Sequence, residues 1–201
     1  MLYFWIFLVG YFLGSIPSGV IVAKAKGIDI LNEGSGNMGA TNVRRILGKK
    51  YGVFVFFLDF FKSALPIFVA KMYLRSHSNL ANSVGALLLL SLLLGNCFSI
   101  FLKFRGGKGV ATVIGGSIVL MPCATLLGVV LWYSVFLATR FVSIASLCFA
   151  LSLPFNAYLF AYQREIFRLT FFLTAVIFVR HAANIRRLWN GEEQQFGEKK
   201  H

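Results

Sequence analysis

Long apolar runs divide this chain, and they limit its possible folds more than any other feature of the sequence. Seven runs cover approximately residues 2–23, 52–74, 80–102, 109–121, 123–139, 142–161 and 165–181. A helix of about 20 apolar residues crosses the roughly 30 Å hydrocarbon core of a bilayer, where the backbone must satisfy its own hydrogen bonds. The pattern therefore predicts an all-α polytopic membrane protein with about seven transmembrane helices. We expect one domain over residues 1–201, with a solvated polar tail at 190–201.

The fourth run is the shortest, and its end decides the number of crossings. Only Met121, Pro122 and Cys123 separate it from the fifth run. Because proline lacks a backbone N–H, a tight reversal at this point is favoured over one continuous helix. A single long helix would instead leave six crossings.

The composition agrees with a membrane protein. Hydrophobic residues make up 58% of the chain and charged residues only 13%, with a mean hydropathy of +0.75. Soluble domains carry about 25% charged residues, so a water-soluble globule is excluded. Basic residues number 20 against 7 acidic ones, which gives a net charge of +13. In so apolar a chain this charge indicates anionic lipids or an anionic substrate, with no nucleic acid as partner.

The cysteines and the N-terminus add little. Cys97, Cys123 and Cys148 lie singly within apolar runs, so neither a disulfide framework nor a metal site is indicated. The first run has no basic region before it and no small-residue cleavage site after it. We therefore expect a retained span rather than a removed signal peptide.

Basic residues fall mainly on one side of the predicted spans. Cytoplasmic loops collect Lys and Arg, so the distribution predicts orientation. One side has 15 of these residues and the other has 4, with Lys62 left inside a span. The first side comprises Lys24, Lys26, Arg44, Arg45, Lys49, Lys50, Lys103, Arg105, Lys108, Arg140, Arg180, Arg186, Arg187, Lys199 and Lys200, and the second comprises Lys71, Arg75, Arg164 and Arg168. The N-terminus is therefore predicted outside and the C-terminus in the cytoplasm, which requires an odd number of crossings.

Three clusters of glycine and polar residues interrupt the apolar pattern. They cover residues 34–45, 105–112 and 180–187, all at the predicted cytoplasmic edge. Glycines let backbone N–H groups point into a concavity, and Lys and Arg supply charge for phosphate oxygens. The second cluster also opens a predicted helix, whose N-terminus attracts anions. The clusters therefore predict a site for anionic groups, formed from segments distant in sequence.

Two nucleotide-binding patterns are excluded by their context. Gly34, Gly36 and Gly39 match the dinucleotide fingerprint, and Asp59 follows 20 residues later. No strand is predicted before them and no βαβ unit around them, so this interpretation fails. The second cluster is not a P-loop, because a glycine rather than Ser or Thr follows Lys108.

Two further pairs of polar residues have more than one interpretation. His181 and Asn184 would share a face on a continuing helix, which suits a polar ligand; a histidine that caps a membrane helix is the alternative. Asp59 and Lys62 lie inside the second run, where charges are costly. They are either a structural pair that fixes helix packing or a support beneath the site.

Together the clusters resemble the signature motifs of the bacterial acyl-phosphate:glycerol-3-phosphate acyltransferases. The matching residues are Ser35–Asn42 with Arg45, then Gly106–Thr112, then Arg180-His181 with Asn184-Ile185. The Asp59-x-x-Lys62 segment is also similar to that family, whereas Asn96 stands where histidine is common. The resemblance implies transfer of a fatty acyl group from acyl phosphate to the 1-hydroxyl of glycerol 3-phosphate in the bacterial inner membrane. It implies no cofactor, no metal and no obligate protein partner.

On this resemblance, the residues predicted to act in catalysis are Ser35, Arg45, Lys108, His181 and Asn184. The residues predicted to bind substrate are Gly36, Asn37, Gly39, Thr41, Asn42, Gly106, Gly107, Gly109 and Thr112. Lys108 and the N–H groups of the second cluster are expected to hold the acyl phosphate. Arg45, with Ser35 and Asn37, is expected to hold glycerol 3-phosphate. His181 and Asn184 are expected to orient the attacking hydroxyl or polarise the carbonyl.

The three motifs contain no carboxylate, so the proton acceptor stays open. A substrate phosphate oxygen is one alternative, because acyl phosphate has a good leaving group and needs positioning more than a strong base. His181 as general base is the second, and an acylated Ser35 is the third. The alternative function is a small membrane transporter of phosphorylated metabolites, which the lack of an internal repeat disfavours.

Overall fold

The computed structural model describes residues 1–197, and within that range the regular structure is entirely helical. The helices are α1 (Leu2–Ser15), α2 (Ser18–Lys24), α3 (Ala40–Leu47), α4 (Lys49–Tyr73), α5 (Ser78–Cys97), α6 (Val110–Leu120), α7 (Pro122–Thr139), α8 (Val142–Leu159), α9 (Arg164–Arg180) and α10 (Ala182–Trp189), with a short 3₁₀ turn at Ile100–Leu102. The chain divides into two compact units, the first ending at Leu120 and the second beginning at Met121. Lys199, Lys200 and His201, part of the predicted polar tail, lie outside the described residues.

Five helical segments of the described chain are long and apolar enough to cross a membrane. They are Leu2–Lys24, Lys49–Tyr73, Ser78–Leu102, Pro122–Thr139 and Val142–Leu159. A sixth is possible if α9 and α10, which meet at a bend of 57°, form one span. The remaining apolar helix, α6, has 11 residues and is about 16 Å long, roughly half of a hydrocarbon core. The all-α membrane fold is confirmed, while seven full crossings stay a prediction.

Small residues set the packing of the first unit. Gly10 of α1 lies against Leu88 and Ser91 of α5, and Gly14 lies against the backbone of Leu92, so α1 and α5 run in the same direction. The hydroxyl of Ser99 donates to the carbonyl oxygen of Ser15 at 2.6 Å and fixes the register at one end. Close backbone contact between small residues is the usual way membrane helices pack.

The helices α4 and α6 run parallel to each other and antiparallel to α5. A side chain at Gly115 would meet the backbone of Phe60, and one at Gly116 would meet Ser63, so α4 and α6 run in the same direction. The ammonium of Lys71 donates to the carbonyl oxygen of Val119 at 3.3 Å, near the ends of both helices. Short α6 therefore runs beside the middle of α4, with Gly115 level with Phe60.

Proline explains the two main interruptions of the apolar runs. Pro17 keeps the preceding Ile16 out of the helical region (φ −57°, ψ 116°), so the first run breaks into α1 and α2. Pro122 occupies the first turn of α7, and Met121 before it is extended (φ −142°, ψ 68°). Two separate helices, α6 and α7, are thus confirmed in place of one continuous helix.

The second unit is a stack of α7, α8 and α9 with buried polar links between them. The Asn156 amide donates to the carbonyl oxygen of Ala124 at 3.0 Å, joining α8 to α7. The Thr174 hydroxyl donates to the carbonyl oxygen of Ala150 at 2.6 Å, joining α9 to α8. In a bilayer such hydrogen bonds between helices satisfy groups that lipid cannot.

Candidate functional site

One buried side chain organises the loop between α2 and α3, which carries the first glycine-rich motif. The Asn42 Nδ2 donates to the carbonyl oxygens of Ile30 (3.3 Å), Glu33 (3.0 Å) and Asn37 (2.9 Å). Its Oδ1 accepts the N–H of Ser35 at 2.9 Å, and the residue is only 2% exposed. Asn42 was predicted to bind substrate; its polar atoms instead hold the loop in shape from inside.

The same loop presents polar groups on its outer surface. The exposed members of the predicted set are Ser35, Gly36, Thr41 and Arg45. Asn37 is half-buried, and its Oδ1 accepts the N–H of Gly39, which caps the N-terminus of α3. Exposed donors and a cation around the start of a helix suit an anion. The motif follows a helix, and no strand occurs in the described range, in agreement with the exclusion of a dinucleotide site.

The second motif folds back onto the end of α5. The N–H of Gly106 donates to the carbonyl oxygen of Cys97 (3.2 Å) and the N–H of Gly107 donates to that of Asn96 (2.9 Å). These two N–H groups therefore tie the glycine-rich motif to the end of α5, and a role of Gly106 and Gly107 in binding substrate stays a prediction. Gly109 has φ +81°, a conformation that favours glycine, and its carbonyl oxygen accepts the N–H of Val113.

The first turn of α6 follows Gly109 and offers further backbone N–H groups. The first N–H groups of any α-helix lack a carbonyl partner within that helix, and the helix dipole adds attraction for negative charge. Lys108 lies half-buried just before this turn. Thr112, predicted to bind substrate, is 0% exposed, and its hydroxyl is buried without a hydrogen-bond partner. Its side chain therefore lies in the helix interface rather than on an accessible surface.

The first two motifs meet within the first unit. A methyl group built on Gly107 would lie 3.4 Å from Cε of Met38, a side chain of the first motif that is 1% exposed. The carbonyl oxygen of Met38 in turn lies against Gly19 of α2, where no side chain fits. The predicted convergence of these two motifs is confirmed.

A buried ion pair lies beside this junction. The Lys62 Nζ is 2.7 Å from Asp59 Oδ1 and 2.7 Å from Asn96 Oδ1. It also donates to the carbonyl oxygen of Ile16 at 3.1 Å, and Asp59 accepts the hydroxyl of Ser18 at 2.9 Å. The pair joins α4 to the break between α1 and α2, in agreement with the structural interpretation, and it contacts the residue that binds Gly107. A supporting role beneath the site stays a prediction.

The third motif belongs to the second unit, where the helix bends. His181 ends α9 and caps α10, so it and Asn184 do not lie on one continuing helix; they are 2% and 5% exposed. The Nδ1 of His181 is 2.8 Å from the carbonyl oxygen of Ile177. Because a carbonyl only accepts, Nδ1 carries the proton of the neutral ring and Nε2 is the basic nitrogen.

Glu193 is a residue of this site that the motifs do not contain. Its Oε1 accepts the Asn184 Nδ2 at 2.6 Å, and its Oε2 accepts the Arg187 Nε at 2.8 Å. Burial alone would raise the pKa of Glu193, but the hydrogen bonds from Asn184 and Arg187 outweigh it and hold the pKa below its usual value of 4.5. A pair of adjacent acids, Glu192 and Glu193, shortly after a basic cluster, in a chain with only 7 acids, was the available signal.

The segment after α10 is exposed or half-buried throughout its described part, as a solvated tail would be, but it also makes specific contacts. The N–H of Phe196 donates to the carbonyl oxygen of Arg140 at 2.9 Å. Its ring meets that of Phe136 edge to face, with centroids 4.9 Å apart. The segment thus connects α10 to the turn between α7 and α8.

Metal binding has no visible basis in the described part of the chain. Residues 1–197 contain no group of three or more His, Cys, Asp or Glu side chains that could hold an ion. The polar groups of the three motifs are cations, amides and hydroxyls, which recognise anions.

Comparison with known proteins identifies the family. Residues 4–191 match the family model described as glycerol-3-phosphate acyltransferase. A curated protein of that name from Aquifex aeolicus (strain VF5) is 41% identical over 186 residues, covering 92% of this chain and 95% of the relative. Another from Fusobacterium nucleatum is 38% identical over 197 residues, covering 98% and 99%.

Solved structures agree over almost the whole chain. The glycerol 3-phosphate form of PlsY (YgiH), an integral membrane glycerol 3-phosphate acyltransferase, has a TM-score of 0.90 and 39% identity, covering 98% of this chain and 96% of that one. The lysophosphatidic acid form of the same enzyme has a TM-score of 0.88 and 38% identity. Sequence and fold therefore agree with the resemblance of the motifs, and this chain belongs to the glycerol-3-phosphate acyltransferase family.

Proposed function

We propose that this protein transfers a fatty acyl group from acyl phosphate to the 1-hydroxyl of glycerol 3-phosphate, releasing 1-acyl-glycerol 3-phosphate and inorganic phosphate. Family membership and the substrate and product forms of the related structures support glycerol 3-phosphate as the acceptor. The observation that carries the proposal is the junction of two anion-binding motifs beside apolar helices. One phosphate is soluble and the other carries an acyl tail, so such a junction suits both.

The acyl phosphate is assigned to the second motif. Lys108 and the first-turn N–H groups of α6 would hold its phosphate and stabilise the charge that develops as it leaves. Arg45, with Ser35 and Asn37, would hold glycerol 3-phosphate at the exposed rim of the first motif. This division is supported by the burial of the second motif and the exposure of the first.

The reaction needs one new bond and one broken bond. The glycerol 1-hydroxyl oxygen attacks the acyl carbonyl carbon, and the bond from that carbon to the phosphate oxygen breaks. The hydroxyl proton passes to an oxygen of the departing phosphate, so no carboxylate is required. His181 and Asn184 would orient the hydroxyl. Because Nδ1 of His181 carries the ring proton, Nε2 as general base is the competing route.

Purified protein in detergent tests the donor directly. Palmitoyl phosphate should release inorganic phosphate only when glycerol 3-phosphate is present, with one acylated product for each phosphate. Transfer from palmitoyl coenzyme A with none from palmitoyl phosphate would overturn the donor assignment. His181→Ala with turnover within a few fold of the parent would eliminate that residue as the base.

For topology, we propose an outside N-terminus, a cytoplasmic C-terminus and a site at the cytoplasmic face of the inner membrane. The excess of basic residues on one side supports this orientation. The parallel course of α4 and α6, with the Lys71–Val119 contact near both ends, supports counting α6 as a crossing and hence an odd total. A reporter enzyme that is active only in the periplasm should stay inactive when it is fused to the C-terminus. An active fusion would contradict the orientation.

A further inference from the structure

A buried chain of polar groups connects α4 to the glycine turn, Gly106–Gly109. We propose that this chain aims the side-chain amide of Asn96 at a phosphate bound on the glycine turn. The inference deepens the proposed function and rests on its assignment of a phosphate to this turn. Asn96 is then a binding residue, and Asp59 and Lys62 are positioning residues that act through it.

The chemistry of Lys62 decides which way the Asn96 amide is turned. An ammonium has three N–H donors and no acceptor, so the atom of Asn96 that faces it must be the oxygen. Three acceptors surround Nζ: Asp59 Oδ1 and Asn96 Oδ1, each at 2.7 Å, and the carbonyl oxygen of Ile16 at 3.1 Å. Three donors match three acceptors, so the arrangement is specified. The Nδ2 of Asn96 therefore faces away from Lys62.

The other side of the Asn96 amide faces the glycine turn. A methyl group built on Gly107 would lie 3.2 Å from Asn96 Nδ2. The N–H of Gly107 donates to the main-chain oxygen of the same asparagine at 2.9 Å. Side chain and main chain of one residue, itself 2% exposed, thus bracket Gly107 immediately before Lys108. A phosphate oxygen on this turn would meet a neutral N–H donor beside the cation.

The charge balance explains why an ion pair, rather than a single charge, orients the Asn96 amide. The side chains of Lys62 and Asp59 are 10% and 8% exposed, and a single charge at such depth is costly. Ser18 donates to Asp59 at 2.9 Å and completes its environment. Because the pair has no net charge, it orients Asn96 without competing with Lys108 for the phosphate.

Asn96→Asp tests the inference most directly. Aspartate has the same size and still offers Lys62 an oxygen, but it replaces the Nδ2 donor with an acceptor that repels phosphate. We expect the KM for palmitoyl phosphate to rise by about tenfold or more. The added buried charge also lowers the melting temperature in detergent, so a variant that loses stability elsewhere is needed as the control. The separate variant Asn96→His should keep the KM within about threefold of the parent value. A neutral imidazole accepts a hydrogen bond from Lys62 on one nitrogen and donates one to the phosphate from the other.

Two further variants separate positioning from folding. The double variant Asp59→Asn with Lys62→Met leaves no unpaired charge; it should raise the same KM without lowering kcat in proportion. Ser99→Ala is the matched control, because Ser99 is 0% exposed and donates to Ser15 at 2.6 Å but does not face the turn. It should lower the melting temperature and leave KM unchanged.

Binding of inorganic phosphate to the full-length protein makes the test independent of the donor. The parent should bind phosphate at least about tenfold more tightly than Asn96→Asp. Equal binding, or parental KM values in Asn96→Asp, would overturn the role of Asn96. A rise confined to the KM for glycerol 3-phosphate would support Asn96 as a hydrogen-bond donor to phosphate. It would overturn the assignment of the acyl phosphate to this pocket in the proposed function.

Discussion

The second motif, in the first unit, is held mainly by its backbone, whereas the third, in the second unit, is held by a side chain that arrives from the end of the chain. Gly106 and Gly107 donate to carbonyl oxygens at the end of α5. Asn184 is instead held by a carboxylate nine residues later, which also binds Arg187. The close backbone contacts of Gly106 and Gly107 with α5 leave no room for an added side chain. The contacts of Glu193 instead depend on its negative charge, which protonation removes.

The difference predicts different sensitivities in the two units. Added volume should damage the second motif and pH should not, whereas charge removal should damage the third motif. Each of the following changes separates the two units on one of these properties, beginning with the largest effect.

Gly106→Ala should be the most damaging change. A methyl group there would overlap the main-chain oxygen of Asn96 and lie 2.6 Å from the carbonyl group of Cys97, and backbone atoms cannot move aside. We expect a loss of about 3 kcal/mol in stability and at least about a hundredfold in activity, measured by thermal unfolding and phosphate release. Gly27→Ala is the control, because its methyl group meets nothing and only its φ of +72° costs energy. Equal losses in both variants would show that packing at the second motif is not the cause.

Glu193→Gln should have a moderate effect confined to the third motif. The amide still offers Asn184 an oxygen but loses the charge that binds Arg187, which is worth about 1.5–3 kcal/mol in a charge-assisted hydrogen bond. We expect kcat to fall about tenfold, with a lower melting temperature. Exposed Glu192, the preceding residue, provides the matched control as Glu192→Gln. If both variants kept parental kcat, the carboxylate would not support the site.

A pH titration should give the smallest effect and the finest separation. Glu193 has a pKa below 4.5 in the folded protein, so its stabilisation is complete above the unfolded value and is lost as pH falls through the folded pKa. The difference in melting temperature between the parent and Glu193→Gln should stay constant near neutral pH. It should shrink as pH falls below 4.5, while the difference between the parent and Gly106→Ala stays unchanged. A constant difference at low pH for both variants would contradict the proposed contrast.

Local properties of the sequence predicted much of this fold. Apolar runs of sufficient length located the membrane helices, and Pro122 located the break between α6 and α7. The apolar pattern did not indicate α3, because the helix is short, half of its residues are polar, and its buried Asn42 and Val43 pack against the rest of the unit. It also missed the break at Ile16, although Pro17 was its signal.

The motifs indicated the right family, whereas the roles of their individual residues stay predictions. Glycines beside Lys108 suggested N–H donors, and the structure shows that those of Gly106 and Gly107 donate to carbonyl oxygens at the end of α5. Glu193 lies outside every motif, and its partner is found only when the chain after α10 turns back. Such contacts join residues from different segments, and no local pattern encodes them.

The sequence by itself determined the solvent of this protein, the position of most helices and the anionic character of its ligands, because hydropathy, proline and charge act through their immediate neighbours. The tertiary structure decided which polar atoms are used up by the fold and which remain for a substrate. Asn42 and Asn96 are both asparagines at the margin of a glycine-rich motif, and nothing local distinguishes them. One amide is engaged by four groups of its own loop, while the other is turned by Lys62 towards the glycine turn. Their difference follows from what surrounds each amide in three dimensions.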